Sequence, residues 1–480
     1  MKSIVFVDVE KQPDFVTDHY YVTSKTEPLG LLYLEAFLSN HGVPVYIAKV
    51  PLNFHDWQKI TNADIVGLSG LTYCWRQMKE LTKEIRIRNP KAFIVAGREH
   101  ASLSPVSVLN NDDFDAVIVG EGEYPLLALC QGKDLKDIPS LVYRDRHGNI
   151  LKNSISLSLK KEELFPLKRR RHWMKNMLHE SISEYSEMAG IMLSRGCVFK
   201  CNFCTAEGMW KGYRDMGVMH ALDEIQRIIN SYGVRYFAFH DLMLNTSHKL
   251  IYAFCDEIIR RKIKANFFAM MSVIANNLDF TYLNVAGFNE IGIGIEIPSD
   301  KRKDIGKRLS FKKTVAFIKR ISDAGIFVRG YLILGWPWET SKKELVEEYS
   351  NALKLLPINA LRVNFLTPFP GTGIYESYKN FCIYQPIEDA YDHFTTMEPV
   401  LKFKLSPIEL EEARIEIIQN YYSSKEYLLL NLKQKKIPTL KNMNESFYAH
   451  YEKVFLKKLD ALDTLSDLAL ENFERSLQSQ

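Results

Sequence analysis

Short apolar runs alternate with amphipathic stretches along most of the chain. Ile4-Val5-Phe6-Val7, Val45-Tyr46-Ile47-Ala48, Ile65-Val66-Gly67-Leu68, Phe93-Ile94-Val95-Ala96 and Ala116-Val117-Ile118-Val119 are continuously apolar, the pattern of strands covered on both faces. Leu31, Leu34, Ala36, Phe37 and Leu38 give the segment Pro28 to Asn40 the apolar face of a helix. This alternation predicts an α/β fold that begins with a doubly wound, Rossmann-like parallel sheet. Leu141 to Arg144 and Ile150 to Lys152 flank a Gly-containing turn, a hairpin that closes this first domain at residue 152. Residues 153–185 are charged and aperiodic and predict a linker.

A second alternation fills residues 186–385. Strands are predicted at Ile191 to Leu193, Tyr236 to Phe239, Ala265 to Ser272, Ile291 to Glu296, Val328 to Leu334 and Leu361 to Leu366, with helices between them. These six β/α units fall short of a complete barrel, so a partial (β/α)6 barrel is expected. From 386 to 480 the chain is expected to be a helical domain. Ser406-Pro407-Ile408-Glu409 is a helix start, with Ser as N-cap and Pro in the first turn. Ile415, Ile418, Tyr421 and Tyr422 form one stripe. Tyr448, Tyr451, Phe455, Leu459, Leu462, Leu465, Leu468 and Phe473 form another, on a second helix. Both read as packing faces, over the barrel mouth or in a dimer.

Composition adds bounds. The 480 residues are 46% hydrophobic and 25% charged, an ordinary globular balance. The net charge of +4 is too small to imply nucleic acid, and the basic run Lys168 to Arg171 reads as a solvated linker. No apolar stretch approaches membrane-spanning length, and the N-terminus has no signal-peptide layout. Seven cysteines without a disulfide framework point to a reducing compartment, so a cytoplasmic protein is expected.

Three of those cysteines carry the candidate chemistry. Cys197, Cys201 and Cys204 have C-x3-C-x2-C spacing in one loop that leaves a strand end, where active sites of parallel α/β folds gather. A structural zinc site needs four ligands, and no fourth Cys or His stands at a knuckle spacing. Three thiolates suit a 4Fe-4S cluster with one iron left open.

With Phe203 just before the last cysteine, the loop resembles the signature of the radical S-adenosylmethionine superfamily. The resemblance covers about residues 28 to 372. It implies that Cys197, Cys201 and Cys204 hold a 4Fe-4S cluster whose free iron takes S-adenosylmethionine, and that the partial barrel is the family's fold. It implies a nucleoside and methionine site drawn from Phe203, from Asp241 and Glu296 at strand ends, and from Gly335 in Gly-Trp-Pro-Trp-Glu-Thr. For Asp241 a helix N-cap role stays open. His240 reads as structural. Backbone approach to the adenine would explain Gly335, and Trp338, where the family has a glycine, would instead line the substrate space.

Upstream, Pro28-Leu29-Gly30-Leu31, Ser69-Gly70-Leu71-Thr72 and Gly120-Glu121-Gly122-Glu123 resemble landmarks of the cobalamin-binding domain that precedes many such barrels. They imply cobalamin contacts from Leu29, Gly30, Ser69, Gly97, Gly120, Glu121 and Gly122. The Asp-x-His-x-x-Gly motif that supplies a lower axial histidine is absent. Gly97-Arg98-Glu99-His100 carries an arginine where the family has glycine. Either Arg98 turns outward or contacts the nucleotide phosphate, or the site is empty.

The resemblance implies a cobalamin-dependent enzyme that methylates an unactivated carbon of a small-molecule or peptide substrate. It also implies an electron donor such as flavodoxin or ferredoxin. Two rivals use the same motifs: radical rearrangement, ring closure or cleavage without methyl transfer, and a sensor or assembly protein without turnover.

Overall fold

The computed structural model describes residues 1–9, 27–110, 113–155, 158–167, 175–179, 184–273, 277–306 and 310–434. The second C-terminal stripe and the basic run at 168–171 lie outside the described residues.

Seven strands form the first sheet: β1 (Ile4–Val9), β2 (Val45–Lys49), β3 (Ile65–Gly70), β4 (Phe93–Gly97), β5 (Ala116–Ile118), β6 (Leu141–Arg144) and β7 (Ile150–Lys152). Their order is β2-β1-β3-β4-β5-β6-β7, parallel through β5 and antiparallel through the closing hairpin. Alternation along each strand sorts side chains to two helical layers. Ile4, Phe6, Ile65, Val95, Ala116 and Ile118 pack with Leu32, Phe37 and Leu126 of helices Leu29–Asn40 and Glu123–Cys130. Val5, Val7, Val66, Leu68, Ile94 and Val117 pack on the other face, against Trp75, Met78 and Ile85 of helix Trp75–Arg88.

The second sheet starts inside the segment that reads as a linker. Strand β8 (Lys175–His179) pairs antiparallel with β9 (Glu184–Ile191), a pairing that its charged, aperiodic sequence conceals. Two short strands, β10 (Ser194–Arg195) and β11 (Arg214–Asp215), pair with each other beside the cysteine loop. Then come β12 (Tyr236–Phe239), β13 (Asn266–Met271), β14 (Phe288–Glu296), β15 (Phe327–Leu334) and β16 (Ala360–Phe365). The order β16-β15-β14-β13-β12-β9-β8 contains the six expected parallel strands of a partial barrel. Ile191, Phe237, Phe239, Ile291, Ile293, Val328 and Val363 face the helices in the largest core. On the opposite face Arg329 donates to Glu290 at 2.7 Å and Tyr236 to the other oxygen of that carboxylate at 2.9 Å. All three are buried, so a satisfied charge pair lies within the barrel.

Helix Pro407–Tyr422 starts as predicted, Ser406 and Glu409 forming a reciprocal capping box ahead of Pro407. Its stripe packs on the barrel: the Tyr421 hydroxyl donates to the Ile358 carbonyl and Tyr422 accepts from Leu361 N–H at 2.8 Å.

The two sheets share one core. Val5, Trp75 and Ala101 of the first domain form a continuous apolar cluster with Ile305, Trp336, Leu366, Tyr391 and Phe394. Arg76 pairs with Asp392 at 2.7 Å across the same junction. His100 is buried between Trp75 and Tyr391, with ring centroids 4.8 and 5.1 Å away. Among the described residues neither of its ring nitrogens has a hydrogen-bond partner. Burial pushes its pKa down to about 3, so it is a neutral part of this junction.

Candidate functional site

The cysteine loop follows β10. Gly196 opens it at φ +82°, where a Cβ would stand 1.8 Å from the Gly212 carbonyl oxygen, so only glycine makes this turn. Asn202 anchors the loop's far side, its carbonyl accepting from Ile374 N–H at 3.1 Å. Cys197 and Cys201 are half-buried and Cys204 is exposed, and none of the three is in a disulfide. Phe199 N–H donates to Cys197 Sγ at 3.4 Å. Cys74, Cys130, Cys255 and Cys382 are buried, and burial pushes the Cys130 and Cys255 thiols up to about 12. Among the described residues no three His, Cys, Asp or Glu side chains form a ready-made metal site. Three cysteine thiols outside any disulfide, on one such loop, are the donor set an iron–sulfur cluster takes.

A cavity of about 320 Å³ lies at the carboxyl ends of the first sheet. Leu29, Gly30, Ser69, Gly97, Gly120, Glu121 and Gly122 all line it. An added Cβ at Gly30 or Gly97 would meet nothing within 4 Å, so these glycines border open space. Arg98 lines the cavity too, at φ +74°, a left-handed backbone that side chains rarely adopt. Its guanidinium lies 3.6 Å from the Asp8 carboxylate at the end of β1, itself a lining residue. Arg98 thus stands at the cavity's mouth, lining it while its side chain stays 37% exposed to solvent. A glycine-bordered crevice at strand carboxyl ends, polar at its rim, fits a cobalamin.

The cavity's opposite wall comes from the second domain: Arg195, Met209, Trp210 and His240. Arg195 donates to Glu121 at 2.9 Å and to Glu123 at 2.8 Å, and Arg214 pairs with the other oxygen of Glu121. The Arg195 side chain is only 4% exposed, and those of Glu121 and Glu123 are 9% and 4% exposed. Tyr33 and Trp210 flank the Arg195 guanidinium at 5.6 and 5.8 Å. Two arginines beside the cysteine loop therefore hold two glutamates of the crevice loop. Sequence reading missed Arg195, although it lies between the strand and the first cysteine, and left His240 as structural.

The remaining predicted positions lie on the barrel's carboxyl rim. Glu296 ends β14 at φ +63°, a strained conformation of the kind that collects at ligand sites. Gly335, at φ +92°, donates its N–H to Glu339 at 2.7 Å, and Trp336 N–H donates to the same oxygen at 3.0 Å. Tyr349 donates to the other oxygen of Glu339 at 3.0 Å. Burial outweighs these three donors and pushes the Glu339 pKa up to about 7. Phe203 meets Trp336 edge-on at 6.3 Å, and Trp338 stacks on Trp336 at 5.1 Å. Asp241 is buried; it accepts from Leu193 N–H at 3.0 Å and Ser194 Oγ at 2.5 Å, and burial pushes its pKa up to about 6. Its carboxyl is thus engaged with the strand end that launches the cysteine loop, and it caps no helix.

Residues 21–130 match the B12 binding domain and residues 191–348 the Radical SAM superfamily. An uncharacterized methyltransferase of Pyrococcus horikoshii is 25% identical over 399 residues, 78% of this chain and 83% of that protein. The anaerobic magnesium-protoporphyrin IX monomethyl ester cyclase of Cereibacter sphaeroides is 24% identical over 75% of this chain and 60% of its own length. The fold is similar to that of the radical S-adenosylmethionine methyltransferase TsrM from Kitasatospora setae with cobalamin and a [4Fe-4S] cluster bound, at TM-score 0.63 and 16% identity, covering 80% of this chain and 79% of that one. No helix among the described residues is long and apolar enough to cross a membrane. The chain thus joins a B12 binding domain to a domain of the Radical SAM superfamily, and these two domains call for cobalamin, a 4Fe-4S cluster and S-adenosylmethionine as cofactors.

Proposed function

We propose that this enzyme transfers a methyl group to an unactivated carbon of a small molecule. One observation carries the reading: the carboxyl ends of both sheets face the same cavity, with Ser69, Gly97 and Gly120 on one side and Arg195 and His240 on the other. A methyl donor and a radical site housed there would meet over one substrate.

Cys197, Cys201 and Cys204 would hold the cluster, while Phe203, Asp241, Glu296 and Gly335 would shape the S-adenosylmethionine site. Asp241 acts there by fixing Leu193 and Ser194, and so the start of the loop. Leu29, Gly30, Ser69, Gly97, Gly120, Glu121 and Gly122 would hold the cobalamin. When bound, the cluster and S-adenosylmethionine supply a hydrogen-abstracting 5′-deoxyadenosyl radical and cobalamin supplies the methyl group. Buried Trp336 and half-buried Phe203 and Trp338 keep water from the rim. A flavodoxin or ferredoxin would deliver the electrons.

The similarity to the cyclase favours a second reading, ring closure without methyl transfer. Coproducts separate the two. Methyl transfer consumes two S-adenosylmethionine molecules per product, giving 5′-deoxyadenosine and S-adenosylhomocysteine in about equal amounts. A trideuterated methyl donor then marks the product with all three deuteriums. Substrate-dependent 5′-deoxyadenosine without S-adenosylhomocysteine or label would point to radical chemistry without methyl transfer, such as ring closure, instead.

A further inference from the structure

One short strand pairing closes the base of the cysteine loop. Strands β10 and β11 run antiparallel, and Arg195 stands directly opposite Arg214. Like charges opposite each other on a strand pair repel. The Arg195 side chain is only 4% exposed, so solvent screens little of that repulsion. Glu121 offsets it: one carboxylate oxygen accepts from Arg195 at 2.9 Å and the other from Arg214. Glu121 belongs to the first domain, where it lines the cavity between Gly120 and Gly122. The other end of the cysteine loop leans on that domain too. Ala206–Met209 follows Cys204 and packs so closely that a Cβ at Gly208 would stand 2.2 Å from Leu103. A Cβ at Gly120 would stand 3.2 Å from the Met209 carbonyl oxygen. Arg195, Met209 and Trp210 also line the cavity. Whatever fills it therefore touches the crevice loop and both ends of the cysteine loop.

We infer that Glu121 couples the two cofactor sites: filling the crevice tightens the cysteine loop's hold on its cluster, and the cluster tightens the crevice's hold on cobalamin by the same factor. The inference rests on the cobalamin-dependent reading above. With the crevice filled, Glu121 is kept between the two arginines and the base of the loop stays closed. With it empty, the glycines on either side let Glu121 swing away, and the arginines then push the base apart. Each cofactor thus favours the closed base, and linkage makes the effect reciprocal. Arg214 is a positioning residue, acting on the cysteines through the base of their loop.

The test uses the full chain, prepared iron-free and also reconstituted anaerobically with iron and sulfide. Hydroxocobalamin binding is measured by equilibrium dialysis, and bound iron is measured against an iron chelator, without any turnover. Hydroxocobalamin should bind about fivefold or more tightly to the cluster-loaded chain than to the iron-free chain. In turn it should leave more iron bound at a given chelator concentration. Arg214→Met, at a side chain 23% exposed, removes the repulsion that Glu121 offsets. It should bring the affinity ratio below about twofold and make iron retention indifferent to hydroxocobalamin. Arg214→Gln makes the same test should the first variant fail to fold. Arg76→Met deletes a different ion pair across the domain junction and should leave the ratio unchanged. Equal affinities in the unaltered chain, a ratio that the Arg214 variants leave intact, or one that Arg76→Met lowers as far, would overturn the inference and leave the proposed function standing. Retention of no cobalamin by either form would overturn both.

Discussion

Arg195→Met removes a charge at nearly constant length from the contact between the two domains. Glu121 keeps Arg214 and accepts from Leu159 N–H at 3.2 Å. Glu123 is left buried without the guanidinium that neutralised it. Breaking a buried pair on one side costs about 3–5 kcal/mol, because the remaining charge stays desolvated. Glu123→Gln alone should cost less, about 1–2 kcal/mol, since Arg195 retains Glu121. The double variant removes both charges and should cost no more than Arg195→Met alone, recovering up to about 1 kcal/mol of its loss. The assay is denaturant unfolding of the four proteins as a double-mutant cycle, with an expected coupling of about 2 kcal/mol. Arg195 stands two residues before Cys197, so iron retained after gel filtration should fall with Arg195→Met and return in the double variant. A coupling below about 0.5 kcal/mol would refute the reasoning, because the two residues would then act independently.

Cys197→Ala, Cys201→Ala and Cys204→Ala should each abolish S-adenosylmethionine cleavage and lower bound iron, whereas changes at the buried Cys74, Cys130, Cys255 or Cys382 should leave iron content intact; metal analysis after anaerobic reconstitution decides. Glu339 has a folded pKa near 7 against about 4.5 unfolded, so its contribution is fully present below pH 4.5 and is lost as pH rises to 7. Unfolding between pH 5 and 8 should show a loss of up to roughly 3 kcal/mol that Glu339→Gln flattens. Gly196→Ala forces a Cβ onto the Gly212 carbonyl and should cost about 2 kcal/mol or more and loosen the cysteine loop, read as lower iron retention than in Gly212→Ala, where a Cβ meets open space.

Continuous apolar runs disclosed the parallel strands because a strand covered on both faces has no polar side to blur the pattern. Strand β8 was illegible for the opposite reason: Lys175–His179 is an edge strand, with one neighbour and no apolar run. The cysteine spacing and the glycines of the crevice were legible because each answers a local demand, a shared loop or open space beside the backbone. The roles of Arg195, Asp8 and His240 were not. Each depends on which distant segment it faces, and Arg195 meets Glu121 and Glu123 across more than seventy positions. Asp241 shows the same limit from the other side. Its place after a strand suggested a ligand contact or a helix cap, while Leu193 and Ser194 bring the donors that occupy it.

The apolar cluster that runs from Val5 and Trp75 to Trp336 and Phe394 makes the two halves poor interchangeable parts. A first domain excised at residue 152 would bare the side of His100 that Tyr391 covers, and would tend to aggregate. Chimaeras that graft this cobalamin domain onto another barrel would need the 381–403 segment to travel with it, although it lies more than two hundred residues downstream. During synthesis the first sheet emerges long before that covering segment, so the nascent chain waits with an exposed surface until the barrel is complete.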